Sequence, residues 1–331
     1  MQTEIDLLKT NKAYTQIART VSRRESFPHA VLLIGADERA LTGFARFIAR
    51  ALMCEQGADA CGRCPACVKV ANNTHADVLS YPKEARSILV EDALEITDTM
   101  HILPYEGGKK VYIINLGASA NAQSQNKLLK SLEEPARDVI FILTTTNEST
   151  VLATIKSRAV KFYVHNFGND AIERFLNQTR PDDAGIKLAS IYSGGNLSSA
   201  TKLCADKNLT AKLDLVFGLL TQMTHSSNCL KFVERLQKEK SDFGGFIQLF
   251  NVVVGLALSS ACGAETNDAA HANEYQQAIA GFGRAGLGEL IKLGNEVNER
   301  LIRNANFNAT IDFFVLKILE VRFNAGNSSI R

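Results

Sequence analysis

Four of the seven cysteines crowd into one short stretch, Cys54-x6-Cys61-x2-Cys64-x2-Cys67. Thiolates are the soft ligands that tetrahedral Zn²⁺ takes, and a set of four closes its shell with no position left for water or substrate. The chemistry expected here is therefore structural zinc, with Gly62 and Pro65 suiting the tight turns between ligands. An iron–sulfur cluster uses similar spacing, but the C-x3-C-P element that would follow is missing. A redox C-x-x-C has no use for a third and fourth cysteine. Cys204, Cys229 and Cys262 are scattered and read as buried free thiols. The odd count and an acidic start with no apolar run, Met1-Gln2-Thr3-Glu4-Ile5-Asp6, argue against a disulfide framework and for a reducing cytoplasm.

A second constellation is a phosphate-binding loop without its phosphate-binding residues. Val31-Leu32-Leu33-Ile34 reads as a buried strand and Gly35 opens a turn into a helix. The pattern G-x-x-x-x-G-K-[ST] laid on Gly35 asks for glycine, lysine and a hydroxyl at positions where the chain has Ala40, Leu41 and Thr42. Ala40 carries a Cβ where the backbone must turn tightly, and Leu41 an isobutyl group where a cation must meet the β- and γ-phosphates. Asp37 and Glu38 put negative charge where a helix N-terminus would attract an anion. The acid that holds Mg²⁺ in such sites is expected after a later strand, yet Val111-Tyr112-Ile113-Ile114 is followed by Asn115 and Leu116. The plainer reading of Gly35 is an ordinary strand-end glycine. Ser157-Arg158 precedes a strand at 161–164; its guanidinium could fork onto a neighbour's phosphate, or be a solvated surface arginine.

These groups need a scaffold. Strands are expected at Val31–Ile34, Val78–Tyr81, Val111–Asn115, Val139–Thr144 and Lys161–Val164, alternating with helices at Leu41–Cys54, Val90–Met100 and Ala122–Leu132. That alternation predicts a parallel α/β sheet. After His165 the pattern turns helical, with a turn at Ser193-Gly194-Gly195-Asn196 and long helices expected at Leu213–Met223, Gly244–Ser260, Leu287–Arg303 and Ile311–Phe323. At 331 residues two or three domains are expected. Lys+Arg 37 against Asp+Glu 35 excludes nucleic-acid binding by bulk charge and leaves only a local basic face. The run from Phe243 to Ala264 lacks charge, but Gln248, Asn251, Ser259 and Ser260 make it a buried interface helix rather than a membrane span.

Several pieces, in order, carry a family resemblance: Phe27-Pro28-His29-Ala30; the cysteine insert after the first α/β helix; Thr74-His75-Ala76-Asp77; Pro104-Tyr105-Glu106-Gly107; the run Asn126-Lys127-Leu128-Leu129-Lys130-Ser131-Leu132-Glu133-Glu134-Pro135; Thr144-Thr145-Thr146-Asn147; and Ser157-Arg158. The chain resembles the bacterial DNA polymerase III clamp loader subunits, and among them the delta-prime type, over roughly residues 8 to 167. It departs from the family pattern at Ala159, where cysteine is usual, and at Ala76, where proline is usual. The resemblance implies an AAA+ α/β domain with a degenerate P-loop and the zinc module (1–166), a helical lid (167–208) and a helical collar that joins subunits (209–331). It implies a non-hydrolysing member that binds no ATP and donates Arg158 to an adjacent gamma/tau-type ATPase subunit, with Leu128, Lys130, Glu133 and Glu134 at the contact. The delta subunit is a further implied partner. The sliding clamp and primer–template DNA are reached through the complex, in the cytoplasm at the nucleoid and with no membrane. Competing readings are an active ATPase, a zinc-containing nucleic-acid binding module, and a purely structural AAA+ scaffold.

Overall fold

Runs rich in Val, Ile, Leu and Phe form five parallel strands: β1 (Ala30–Ile34), β2 (Val78–Tyr81), β3 (Lys110–Gly117), β4 (Val139–Thr145) and β5 (Val160–Tyr163). Their order is β2-β3-β4-β1-β5. In the computed structural model residues 2–57, 60–83, 87–106, 108–118, 121–181, 183, 185–265 and 268–328 are described; Gly107 of the resemblance lies outside them. Every residue of β1 and β4 is buried, as expected where helices cover both faces of a parallel sheet. Register runs Ala30–Phe141 to Ile34–Thr145 on one side of β1 and Val31–Val160 to Ile34–Tyr163 on the other.

The helices of this part are α1 (Gln2–Lys9), α2 (Lys12–Val21), α3 (Glu38–Met53), α4 (Pro65–Ala71), α5 (Val90–Thr99), α6 (Ala122–Glu133), α7 (Ala153–Lys156) and α8 (Asn169–Thr179). Asn121 caps α6 by accepting from Gln123 N, and Pro135 follows its end. On one face of the sheet Tyr112 stacks between Tyr81 and Phe141. Helix α3 begins three residues before the expected Leu41, a shift with consequences for the site.

The remaining helices are α9 (Ile186–Tyr192), α10 (Leu197–Ala205), α11 (Leu209–Gln222), α12 (Cys229–Gln237), α13 (Phe243–Ala261), α14 (Ala272–Ile302) and α15 (Phe307–Ser328). The chain divides into two compact units: Met1–Asp182 with Gly195–Thr201, and Asp183–Gly194 with Lys202–Arg331. The stretch expected as a separate lid is thus shared out. The apolar face of α8, with Ile172, Phe175 and Leu176 buried, packs on α1, whereas α9 packs on α13.

In the second unit α13 buries Phe243, Phe246, Phe250, Val253 and Val254, and Phe314 of α15 meets Phe250 edge-on with ring centroids 5.0 Å apart. Lys240–Ala261 is long and apolar enough to cross a membrane by composition. Its buried face instead forms the core of this unit, which explains the uncharged run. Helix α14 starts well before the expected Leu287 and breaks at Gly283, whose φ of 60° glycine adopts without a Cβ penalty.

Candidate functional site

An open parallel sheet usually takes its ligand outside the carboxyl ends of the strands, where strand order reverses. Here that place lies beyond β1, and the chain's own groups fill it. A Cβ at Gly35 would come 2.5 Å from the carbonyl oxygen of Val164, so glycine is required by the close approach of the segment following β5. Only Ala36 and Asp37 separate Gly35 from α3, so the wide loop that would wrap a triphosphate is not formed. Asp37 is the N-cap: its Oδ1 accepts from Arg39 N at 3.0 Å and Ala40 N at 3.3 Å. The same carboxylate caps the start of α10, accepting from Leu197 N, from Ser198 N at 3.3 Å and from Ser198 Oγ at 2.6 Å. Asn196 Nδ2 donates to Ala36 O, and Arg39 Nη1 donates to Thr201 Oγ1 at 2.6 Å. Two helix N-termini, each a natural anion site, therefore share one internal anion that is 3% exposed.

The other positions of the loop pattern are also engaged. Ala40 and Leu41 lie in the first turn of α3 and are buried in the interior. Thr42 Oγ1 donates to Glu38 O of its own helix at 2.9 Å. Asn115 Nδ2 donates to Glu38 Oε1 at 2.7 Å, while its Oδ1 accepts from Gly117 N and Thr144 Oγ1. Leu116 is fully buried. Replacing Asp37 by alanine should cost on the order of 3 kcal/mol, the loss of two N-caps and a stranded hydroxyl, and asparagine should cost less. Denaturant unfolding of both variants measures this; an Asp37→Ala chain as stable as the parent would refute the double-cap account.

Arg158 follows the short α7 and is half-buried. Its Nη2 lies 2.7 Å from Glu133 Oε1, and its Nη1 donates to Thr154 O at 2.9 Å. Glu133, at the end of α6, is thus tied to Arg158, a link between two separately noted motifs that their spacing does not reveal. Lys130, Glu133 and Glu134 are exposed. Leu128, expected at a subunit contact, is instead 1% exposed and belongs to the core under the sheet with Leu132, Val151 and Ile155. At helical spacing it takes the inward side of α6. Ala159 packs against the same core.

The four clustered cysteines converge from the end of α3 and the start of α4. All four sulfurs lie within 4.8 Å of one another, with Cys61–Cys67 at 4.0 Å and Cys54–Cys64 at 3.9 Å. A tetrahedron with Zn–S bonds of about 2.3 Å has edges of about 3.8 Å. The four can hold a metal ion. Cys64 caps α4 by accepting from Cys67 N, Pro65 occupies the first turn, and Gly62 turns the chain at φ 77°. Backbone N–H groups of Arg63 and Cys64 pull the Cys61 thiol down to about 6, while burial pushes the Cys67 thiol up to about 12. An enclosed thiol of the latter kind gives up its proton when a cation takes the proton's place.

Residues 9–167 match the family described as DNA polymerase III, delta subunit. Over those residues, just under half of the chain, it is similar to the DNA polymerase III clamp loader subunits. Among curated relatives, the chain is 32% identical over 186 residues to DNA polymerase III subunit delta' of Pseudomonas aeruginosa, covering 54% of this chain and 57% of that one. It is 31% identical over 179 residues to subunit gamma/tau of Mycoplasma pneumoniae, covering 52% and 26%. Across the relatives named here it spans between a quarter and just over half of their length. A solved gamma subunit-related protein of Thermotoga maritima aligns over 93% of this chain and 99% of its own, at 16% identity and a TM-score of 0.43.

Proposed function

We propose that this chain is a non-hydrolysing subunit of a clamp loader, which lends Arg158 to ATP held by a neighbouring gamma/tau-type subunit. Zn²⁺ on Cys54, Cys61, Cys64 and Cys67 braces its first unit. The carrying observation is the Asp37 carboxylate on the N-terminal N–H groups of both α3 and α10. A triphosphate would need those donors, a cation where Leu41 is buried, and an acid where Asn115 is bonded to Glu38. The chain's part in ATP chemistry is then performed in trans. A guanidinium is always charged and forks onto phosphate oxygens, so Arg158 suits charge developing on a γ-phosphate. Lys130, Glu133 and Glu134, exposed near the end of α6, supply the surrounding subunit contact. The remaining partners in this reading are the delta subunit and, through the complex, the sliding clamp and primer–template DNA, at the nucleoid in the cytoplasm.

Calorimetric titration of the isolated chain with MgATP tests the first half. No saturable binding is expected up to about 1 mM, a concentration that would still register a binding free energy of about −4 kcal/mol. Binding with a micromolar Kd and turnover would overturn it and restore the reading as an active ATPase.

A further inference from the structure

Away from the crevice, α3 carries a buried guanidinium with nitrogens that find no hydrogen-bond partner among the described residues. Arg50 is 4% exposed, and its Nε and Nη2 are enclosed without a hydrogen-bond partner. Burying a charge is costly unless it is paired, so such a group signals a missing counter-charge. Arg50 lines a cavity of about 220 Å³ that also touches Arg46, Glu4, Gly43 and Asn72. Residues 46 and 50 are one helical turn apart and share a face, and long helical side chains lean toward the N-terminus, which brings Arg50 back over Arg46. Gly43 also lines the cavity, and a Cβ there would stand in contact with Glu4 Oε1 and Leu8 Cδ2, 3.4 Å from each. Glu4 is the one carboxylate among the lining residues, and among the described residues it makes no ion pair within 4 Å with either arginine. Two cations against one anion leave the cavity with an excess positive charge.

The geometry points to a binding site for a phosphate-type oxyanion between α1, α3 and the end of α4, held by Arg46 and Arg50. Guanidinium groups form paired, charge-assisted hydrogen bonds to such oxygens, and Asn72 adds an amide donor at the rim. The volume accommodates one phosphate group with water. The phosphoryl oxygens can come from free phosphate or from the phosphodiester backbone of nucleic acid. A cavity of about 220 Å³ favours the compact ion.

The test uses the full chain saturated with zinc, at constant ionic strength, with thermal unfolding and calorimetry as readouts. Inorganic phosphate should raise the Tm where equal ionic strength of chloride does not. Arg46→Gln, a half-buried position whose loss leaves the interior intact, should weaken phosphate binding by about tenfold or more, and Glu4→Gln should tighten it by removing the competing charge. A short duplex oligonucleotide should fail to displace the phosphate; displacement would make the phosphodiester the occupant and retain the site. Equal responses to phosphate and chloride in parent and Glu4→Gln chains would overturn the proposal. So would a loss of stability in Glu4→Gln that phosphate does not restore, because Glu4 would then be the partner of Arg50.

Discussion

On the proposed role, an Arg158→Ala chain assembled with gamma/tau-type ATPase subunits is expected to slow hydrolysis at the adjacent nucleotide site by about 10³-fold or more, with ATP affinity there little changed. That is the scale of an arginine acting on transition-state charge rather than on ground-state binding. The substitution should leave the fold intact. Arg158 keeps 34% of its side chain exposed and Glu133 keeps 47%, and an ion pair of that kind contributes about 0–1 kcal/mol. So weak a pairing holds the guanidinium without locking it, and in the proposed role phosphate oxygens with their higher charge would take Arg158 from Glu133 at small cost. Glu133→Gln should accordingly preserve hydrolysis within a fewfold, and Arg158→Lys should fail to rescue it, since an ammonium lacks the planar fork. Steady-state and single-turnover hydrolysis in assemblies containing each variant decide the matter. Unchanged rates with Arg158→Ala would leave a scaffold role for this chain.

The sheet was legible because its inner strands β1, β3 and β4 are buried on both faces, and continuous runs such as Val139–Thr145 need no partner to be recognised. The cysteine cluster was legible for a related reason: its ligands are local in sequence and their spacing encodes the turn geometry. What could not be read depends on contacts between distant residues. In the sequence Asp37 reads only as a charge opposed to phosphate; its part in capping α10 depends on Leu197 and Ser198, some 160 positions on. Asn196 before Leu-Ser-Ser did carry a readable start signal for α10, and its Oδ1 accepts from Ser199 N at 2.8 Å. Nothing in that signal names the strand-end loop as its neighbour. Leu128 sits within a motif of exposed charged residues, so motif membership suggested a surface role that helical phase denies it. Arg50 sits in an apolar stretch of α3 where an arginine passes for a solvated residue, and only burial reveals it as unpaired.

Removing the metal, by chelation or by Cys67→Ser, is expected to melt the segment from Cys54 to Ala71 while the sheet stays folded. The cluster forms a small core of its own, with Cys54, Cys64, Ala66 and Cys67 buried and Met53 and Cys61 packed against them, distinct from the core beneath the sheet. Its apolar content is too small to order the loop alone, so a bound metal would supply the difference, up to on the order of 10 kcal/mol for structural zinc. Cys67 has the most to lose. It is fully enclosed, and a serine hydroxyl there would stay protonated where a thiolate is needed, leaving a buried polar group and an incomplete shell. The parent chain should contain about one zinc per molecule by elemental analysis, as one closed set of four ligands requires. The serine variant should lose it, and hydrogen exchange in α4 should become fast while β1 and β4 remain protected. Full protection of α4 after chelation, or a parent chain free of metal when prepared with zinc present, would show that the cysteines pack as ordinary thiols. Because α3 delivers both Cys54 at its end and the Asp37-capped turn at its start, the comparison also tests whether the metal stiffens the helix that closes the crevice. In that case exchange at Arg39 and Ala40 should rise modestly on metal loss, without a change at Arg158.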